Sequence, residues 1–345
     1  MTDSLIPKKN NFDLLRLIFA LTVFITHLYE LSGYQILRTA PRSLSWIYLN
    51  SGRAVQGFFV ISGFLIFMSY DRSHGLGKYF EKRVRRLYPC YLTNILLSAL
   101  LLVVVSSLPF IGYFLNHDFL RFIGFNAVFL NAHQWTLPGV FQNHPFTAVN
   151  GALWTLQIEV LFYISVPIIA YFGRFFGKLP ILLLLYIFSS CFFVYFSVTG
   201  KPATALLFPG QLCFFVAGSI LYSLYDAFAR RRYVMVSVAV LVLVLQSALH
   251  LSVLYPMALA MIVIFLACCI PFLGHASRFG DLSYSIYIYH FPVIQFLIAV
   301  LPYNPLLLLI SAYAIVPAFG FASWHLVEKR FLLKSSHYLQ KKAGC

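Results

Sequence analysis

The chain has 345 residues, 61% of them hydrophobic and only 10% charged, and it passes repeatedly through apolar stretches close to the roughly 20 residues a helix needs to cross a bilayer. That composition excludes a water-soluble globular domain and predicts an all-α, polytopic membrane bundle. The net charge of +15 does not point to nucleic acid, because it sits in short segments beside apolar spans, where lysine and arginine mark the cytoplasmic side.

In chain order, about ten spans are expected, at 12–31, 54–70, 88–107, 151–171, 179–198, 204–224, 233–251, 253–273, 282–301 and 305–326. The first carries Arg16 and His27 and has no small-residue cleavage site, so it reads as a retained span rather than a signal peptide. With the amino terminus inside, only Arg38, Arg42, Arg53, Arg121 and Lys201 fall on the outer side, and an even span count returns the carboxyl terminus to the cytoplasm. One membrane domain is expected over 1–345, without an appended soluble domain or internal repeat.

Ionisable residues single out the first span. From Arg16 to His27 is eleven residues, about 1100° of helical rotation and roughly 16 Å of rise, so the two side chains share a face. Asp13 lies three residues before Arg16 on the same face. Charged groups at membrane depth are costly and usually face a bundle interior or a polar path. His27, about 22 Å along a helix starting near residue 12, falls in the outer half of the membrane.

The second span contains Gly57-Phe58-Phe59-Val60-Ile61-Ser62-Gly63-Phe64-Leu65-Ile66, whose glycines permit close approach of a neighbouring helix or a thin ligand. Lys82, Arg83, Arg85 and Arg86 are expected in the inner loop that follows, just before Leu87, Tyr88 and Pro89 open the third span. Such a patch suits phosphate oxygens, which arginine binds bidentately, or anionic lipid. The long outer connection, about 108–150, holds His117, His133 and His144 at spacings that match no local metal-ligand pattern, and no metal site is expected. Glu159, about eight residues into the fourth span, is the other carboxylate expected deep in the membrane. Arg230, Arg231 and Arg232 read as a topology anchor, His290 as a member of an interfacial tyrosine-rich belt, and His250 and His325 carry no supporting context. The six cysteines fall mostly within apolar helices and form no CxxC pair.

Several of these segments, in order along nearly the whole chain, resemble the acyltransferase-3 family of integral membrane acyltransferases. Asn11-Phe12-Asp13-Leu14-Leu15-Arg16 followed by His27 is similar to the family's R-x10-H element, the Gly57 to Ile66 run to its second-helix signature, and Arg83-Val84-Arg85-Arg86 to its cytoplasmic R-x-x-R motif. Leu153-Trp154-Thr155-Leu156-Gln157-Ile158-Glu159-Val160-Leu161-Phe162-Tyr163 resembles its LWSLxxExxFY stretch, with Val160 where many members carry a second acidic residue. Gly280-Asp281-Leu282-Ser283-Tyr284-Ser285-Ile286-Tyr287, with His290 and Pro292, resembles its late tyrosine-rich helix, and Glu328 with Lys329 its terminal element.

The resemblance implies transfer of an acyl group, usually acetyl, from cytoplasmic acyl-CoA to an extracytoplasmic glycan such as O-antigen, capsule, exopolysaccharide, a nodulation-type oligosaccharide or a lipid-linked precursor. It implies a bacterial inner membrane location and no permanently bound cofactor. In this reading Arg83, Arg85 and Arg86 bind the donor's phosphates, with Arg16 near the entrance. His27 serves as general base towards a sugar hydroxyl or as covalent acyl carrier, and Glu159 orients His27 or binds sugar hydroxyls. Asp13, Ser62 and His290 are supporting residues. A transporter would also gather charges around a path, but neither inverted repeats nor paired broken helices are visible.

Overall fold

A computed structural model describes residues 6–33, 50–245, 251–274, 276, 278, 280–302 and 304–333, and among them every regular element is helical. In chain order these are α1 (Phe12–Ser32), α2 (Ser51–Asp71), α3 (Leu76–Leu101), α4 (Phe110–Leu115), α5 (His117–Ala127), α6 (Trp154–Phe176), α7 (Lys178–Val198), α8 (Phe208–Ser223), α9 (Arg232–Leu245), α10 (Tyr255–Cys268), α11 (Leu282–Val300) and α12 (Pro305–Ser323). Seven are long and apolar enough to cross a bilayer: α1, α2, α3, α6, α7, α11 and α12. The other three expected spans coincide with the shorter apolar helices α8, α9 and α10. His250, Arg38 and Arg42 lie outside the described residues.

Two boundaries correct the sequence reading. The third span opens at Leu76, so Lys82, Arg83, Arg85 and Arg86 stand on helix α3 and not in a loop before it. Apolar content marks only the part of a helix that sits in hydrocarbon. The preceding turns are polar yet contain no breaker beyond Gly77, and Glu81 and Arg85 pair at 2.8 Å along them. The connection after α3 is likewise not plain loop. Asn116 caps α5 by accepting from the Asp118 amide at 2.9 Å.

The chain falls into two compact units, the first comprising Met1–Arg16, Val55–Phe80 and Ile158–His275. Here α2 and α8 meet backbone to backbone. A Cβ on Gly63 would overlap the Phe215 carbonyl, one on Gly218 would overlap that of Val60, and the Ser219 hydroxyl donates to the Gly63 carbonyl at 3.2 Å. Phe162 of α6 stacks on Phe215, their centroids 4.4 Å apart. Asn11, just before α1, is buried; its side-chain amide donates to the carbonyls of Leu266 and Pro271, and its oxygen accepts from the Leu273 amide. Pro167 inside α6 cannot donate to the Tyr163 carbonyl, which accepts instead from the Tyr79 hydroxyl at 3.0 Å.

The second unit comprises Leu17–Ala54, Glu81–Gln157 and Ala276–Cys345. It uses the same device at Pro292 of α11, which leaves the Ile288 carbonyl without its helical donor. Two buried amides fill the gap: Asn150 Nδ2 donates at 2.8 Å and Asn94 Nδ2 at 3.4 Å. Asn150 also donates to Asn94 and accepts from the Ala152 amide, which fixes the entry to α6. Gln295 Nε2 donates to the carbonyls of Phe146 and Ala148, and its oxygen lies 2.8 Å from His144 Nδ1, fastening the connection before α6 to α11. The buried Tyr113 hydroxyl donates to the Ala99 carbonyl at 2.7 Å, and burial raises its pKa above the ordinary phenol value. The last helix continues from α12 through a π-turn, Trp324–Glu328, to Phe331.

Candidate active site

α1 is a continuous helix carrying Asp13, Arg16 and His27, and its turns from Leu17 onward belong to the second unit. Phe24, one turn before His27, is fully buried and meets Tyr313 of α12 edge-on at 5.3 Å. His27 Nδ1 lies 2.8 Å from His290 Nε2 on α11. The ring planes are 13° apart with centroids at 5.1 Å. The nitrogen–nitrogen distance plus the reach from each nitrogen to its own ring centre accounts for nearly all of that separation. The rings therefore lie edge to edge in almost one plane, joined by an in-line hydrogen bond rather than stacked face to face.

His290 is fully buried, whereas His27 is only partly covered. Phe24, Tyr287 and Phe291 present their rings to His290 at 6.4, 5.8 and 6.3 Å. The Tyr287 hydroxyl is in turn 2.7 Å from that of Thr155. Sequence reasoning left His290 between an interfacial belt and a supporting role at the site, and did not identify it as the partner of His27. The available signal was Pro292 two residues on, since a proline-broken turn at membrane depth needs a buried polar environment to satisfy its carbonyl.

The basic cluster divides on inspection. Arg86 forms an ion pair with Asp281, lies 3.5 Å from Glu328, and is flanked by the rings of Tyr284 at 5.6 Å and Trp324 at 6.0 Å. Both carboxylates are only 2% exposed. Asp281 also caps α11 through Ser283, and Glu328 accepts from the Ser323 hydroxyl at 3.3 Å. Gly280, at φ +117°, brings the backbone so close to the Trp324 indole that no side chain fits there. Arg85 is exposed and, among the described residues, pairs with Glu81 of its own helix, with a longer contact of 3.5 Å to the Phe331 carbonyl. Lys82 and Arg83 are half-buried on the same helix. Asp281 and Glu328 were quoted within motifs but given no role; their signal was the scarcity of acid, only ten such residues in the chain.

Glu159 stands in the second turn of α6, in the first unit. It accepts from the Tyr163 hydroxyl at 2.5 Å and from the Ser62 hydroxyl at 3.5 Å. Among the described residues, no three histidine, cysteine or acidic side chains assemble as a metal site.

Comparison with known proteins agrees with this arrangement of motifs. The acyltransferase-3 family, described as an acyltransferase domain, matches residues 9–325. An O-acetyl transferase of Shigella phage Sf6 is 30% identical, over 95% of this chain and 98% of its own length. Nodulation protein 10 of Rhizobium leguminosarum bv. viciae is 27% identical, over 85% of this chain and 84% of its own length. No solved structure matches the chain.

Proposed function

The chain belongs to the acyltransferase-3 family, and from that premise we propose that it is a membrane O-acyltransferase that moves an acetyl group from cytoplasmic acyl-CoA to a hydroxyl of an extracytoplasmic glycan. The observation that carries this reading is a partly accessible histidine on a membrane helix, held in line by a second, fully buried one. A neutral imidazole so placed takes the proton of a sugar hydroxyl as it attacks a thioester, or accepts the acyl group and passes it on.

Acyl-CoA is an anionic nucleotide on a thin, flexible arm. In this proposal Lys82, Arg83 and Arg85 meet its phosphates. Arg86, already opposite two carboxylates, holds the helix ends together instead. Arg16 adds a cation on the helix that carries His27, with Asp13 one turn before it. Glu159, accepting from Tyr163 and Ser62, keeps further acceptor capacity for sugar hydroxyls. Both termini are assigned to the cytoplasm, in line with the lysine and arginine bias, and the protein to a bacterial inner membrane, which rests on the family resemblance alone.

The test is mass spectrometry of the producing cell's surface glycans with the gene intact, deleted, or carrying His27→Ala. The expected outcome is an acetyl increment on one sugar that is absent from both altered strains. An increment that survives deletion refutes the proposal, and one that survives His27→Ala removes His27 from the chemistry.

A further inference from the structure

We infer that His290 is a positioning residue that fixes His27 as the tautomer protonated on Nδ1, so that Nε2 of His27 is the atom that reacts. The inference rests on the acyl-transfer reading for its activity consequences, but its structural content stands on hydrogen bonding alone.

The argument starts at a carbonyl. His290 Nδ1 lies 3.2 Å from the carbonyl oxygen of Ile286, one turn earlier on α11. A carbonyl only accepts, so the proton of that hydrogen bond belongs to Nδ1 of His290. A second proton on this ring would leave a charge buried among Phe24, Tyr287 and Phe291, with no ion pair to a carboxylate among the described residues, and burying an uncompensated charge is expensive. The ring is therefore neutral, and its Nε2 offers a lone pair. Among the described residues, one partner stands at hydrogen-bond distance from that lone pair: His27 Nδ1, at 2.8 Å. His27 donates, so its own Nε2 is bare.

One carbonyl thus sets the direction of every proton in the chain from Ile286 through His290 to His27. The role matches that of the aspartate in a serine hydrolase triad, which holds its histidine in the productive tautomer, but here a neutral acceptor does it. During transfer the acceptor's hydroxyl oxygen bonds to the thioester carbonyl carbon while its proton moves to His27 Nε2. The carbon–sulfur bond then breaks, its electron pair stays on sulfur, and the sulfur takes the proton back from Nε2 to leave as the free thiol. While His27 is cationic, its Nδ1–H bond to His290 is charge-assisted and strengthens.

Nitrogen-15 spectra of histidine-labelled protein in detergent, with His27→Ala to assign the signals, read the tautomer without substrate. The expected result is a protonated Nδ1 and a bare Nε2 on His27; the opposite tautomer overturns the inference. Kinetics give a second reading. His290→Phe should lower kcat by about 10²-fold or more and leave KM for acetyl-CoA within about twofold. His290→Gln, whose side-chain oxygen can accept from His27 Nδ1, should recover most of that loss. Full kcat in the phenylalanine variant, or an equal collapse in the glutamine variant, also overturns it. A native protein that transfers no acetyl group at all would refute the function while the spectra still report the tautomer.

Discussion

Arg86 illustrates how little a residue's identity says about its work. In the sequence it is one of four cations in a cluster that suits phosphate. In the fold it is the half-buried centre of a triad with the buried carboxylates Asp281 and Glu328, flanked by Tyr284 and Trp324. Removing one member of a buried ion pair leaves an uncompensated charge, so Arg86→Ala should destabilise the protein by about 3–5 kcal/mol. Arg85→Ala, at an exposed pair, should cost no more than about 1 kcal/mol and act instead on KM for acetyl-CoA. Thermal unfolding in detergent beside donor kinetics separates the two; equal stability of both variants would contradict the assignment. The candidates legible at this scale were those whose cost is visible without neighbours, such as His27 and Glu159 inside apolar spans. The partner of His27 was not legible, because a hydrogen bond across 263 residues of sequence leaves no local pattern.

At the scale of elements, the glycines of the second span carried readable information. Gly63 and Gly218 are where α2 and α8 touch, and a methyl group on either meets a carbonyl that cannot move aside. Gly63→Ala or Gly218→Ala should therefore cost about 1–3 kcal/mol, whereas Gly124→Ala, in α5 with nothing within 4 Å of the added carbon, should be neutral or slightly stabilising. Melting temperatures of the three variants check this, and an equal loss at Gly124 would show that contact with the opposing carbonyl does not govern the effect. Long apolar helices were legible from composition. The polar start of α3 was not, because hydropathy reports where a helix meets lipid and not where its hydrogen bonds begin. The prolines at 167 and 292 break turns inside helices, and nothing in the sequence marks Tyr79, Asn94 and Asn150 as the residues that satisfy them.

For the whole molecule the open question is which side faces out. In a cysteine-free background, Gln142→Cys in the connection before α6 should react with a membrane-impermeant maleimide in intact cells. His74→Cys, in the turn between α2 and α3, should react only after permeabilisation; both positions are exposed in the fold. The reverse pattern would invert the proposed orientation and place the basic cluster of α3 away from cytoplasmic acyl-CoA. Lysine and arginine counts yield an expected orientation because they act through short flanking segments, independently of how the helices pack.

The π-turn at the end of the last helix gives Glu328 a peculiar genetic status. A π-turn is an α-helix with one residue too many, and each residue along an α-helix turns the chain by about 100°. Glu328 reaches Arg86 from the far side of that surplus residue. Because the wide turn takes up the surplus residue with little further advance of the helix, in-frame loss of a single codon between Trp324 and Glu328 would let the helix close regularly and leave the carboxylate facing Arg86, so that a deletion here is tolerated where one in the regular turns of α12 would rotate everything beyond it.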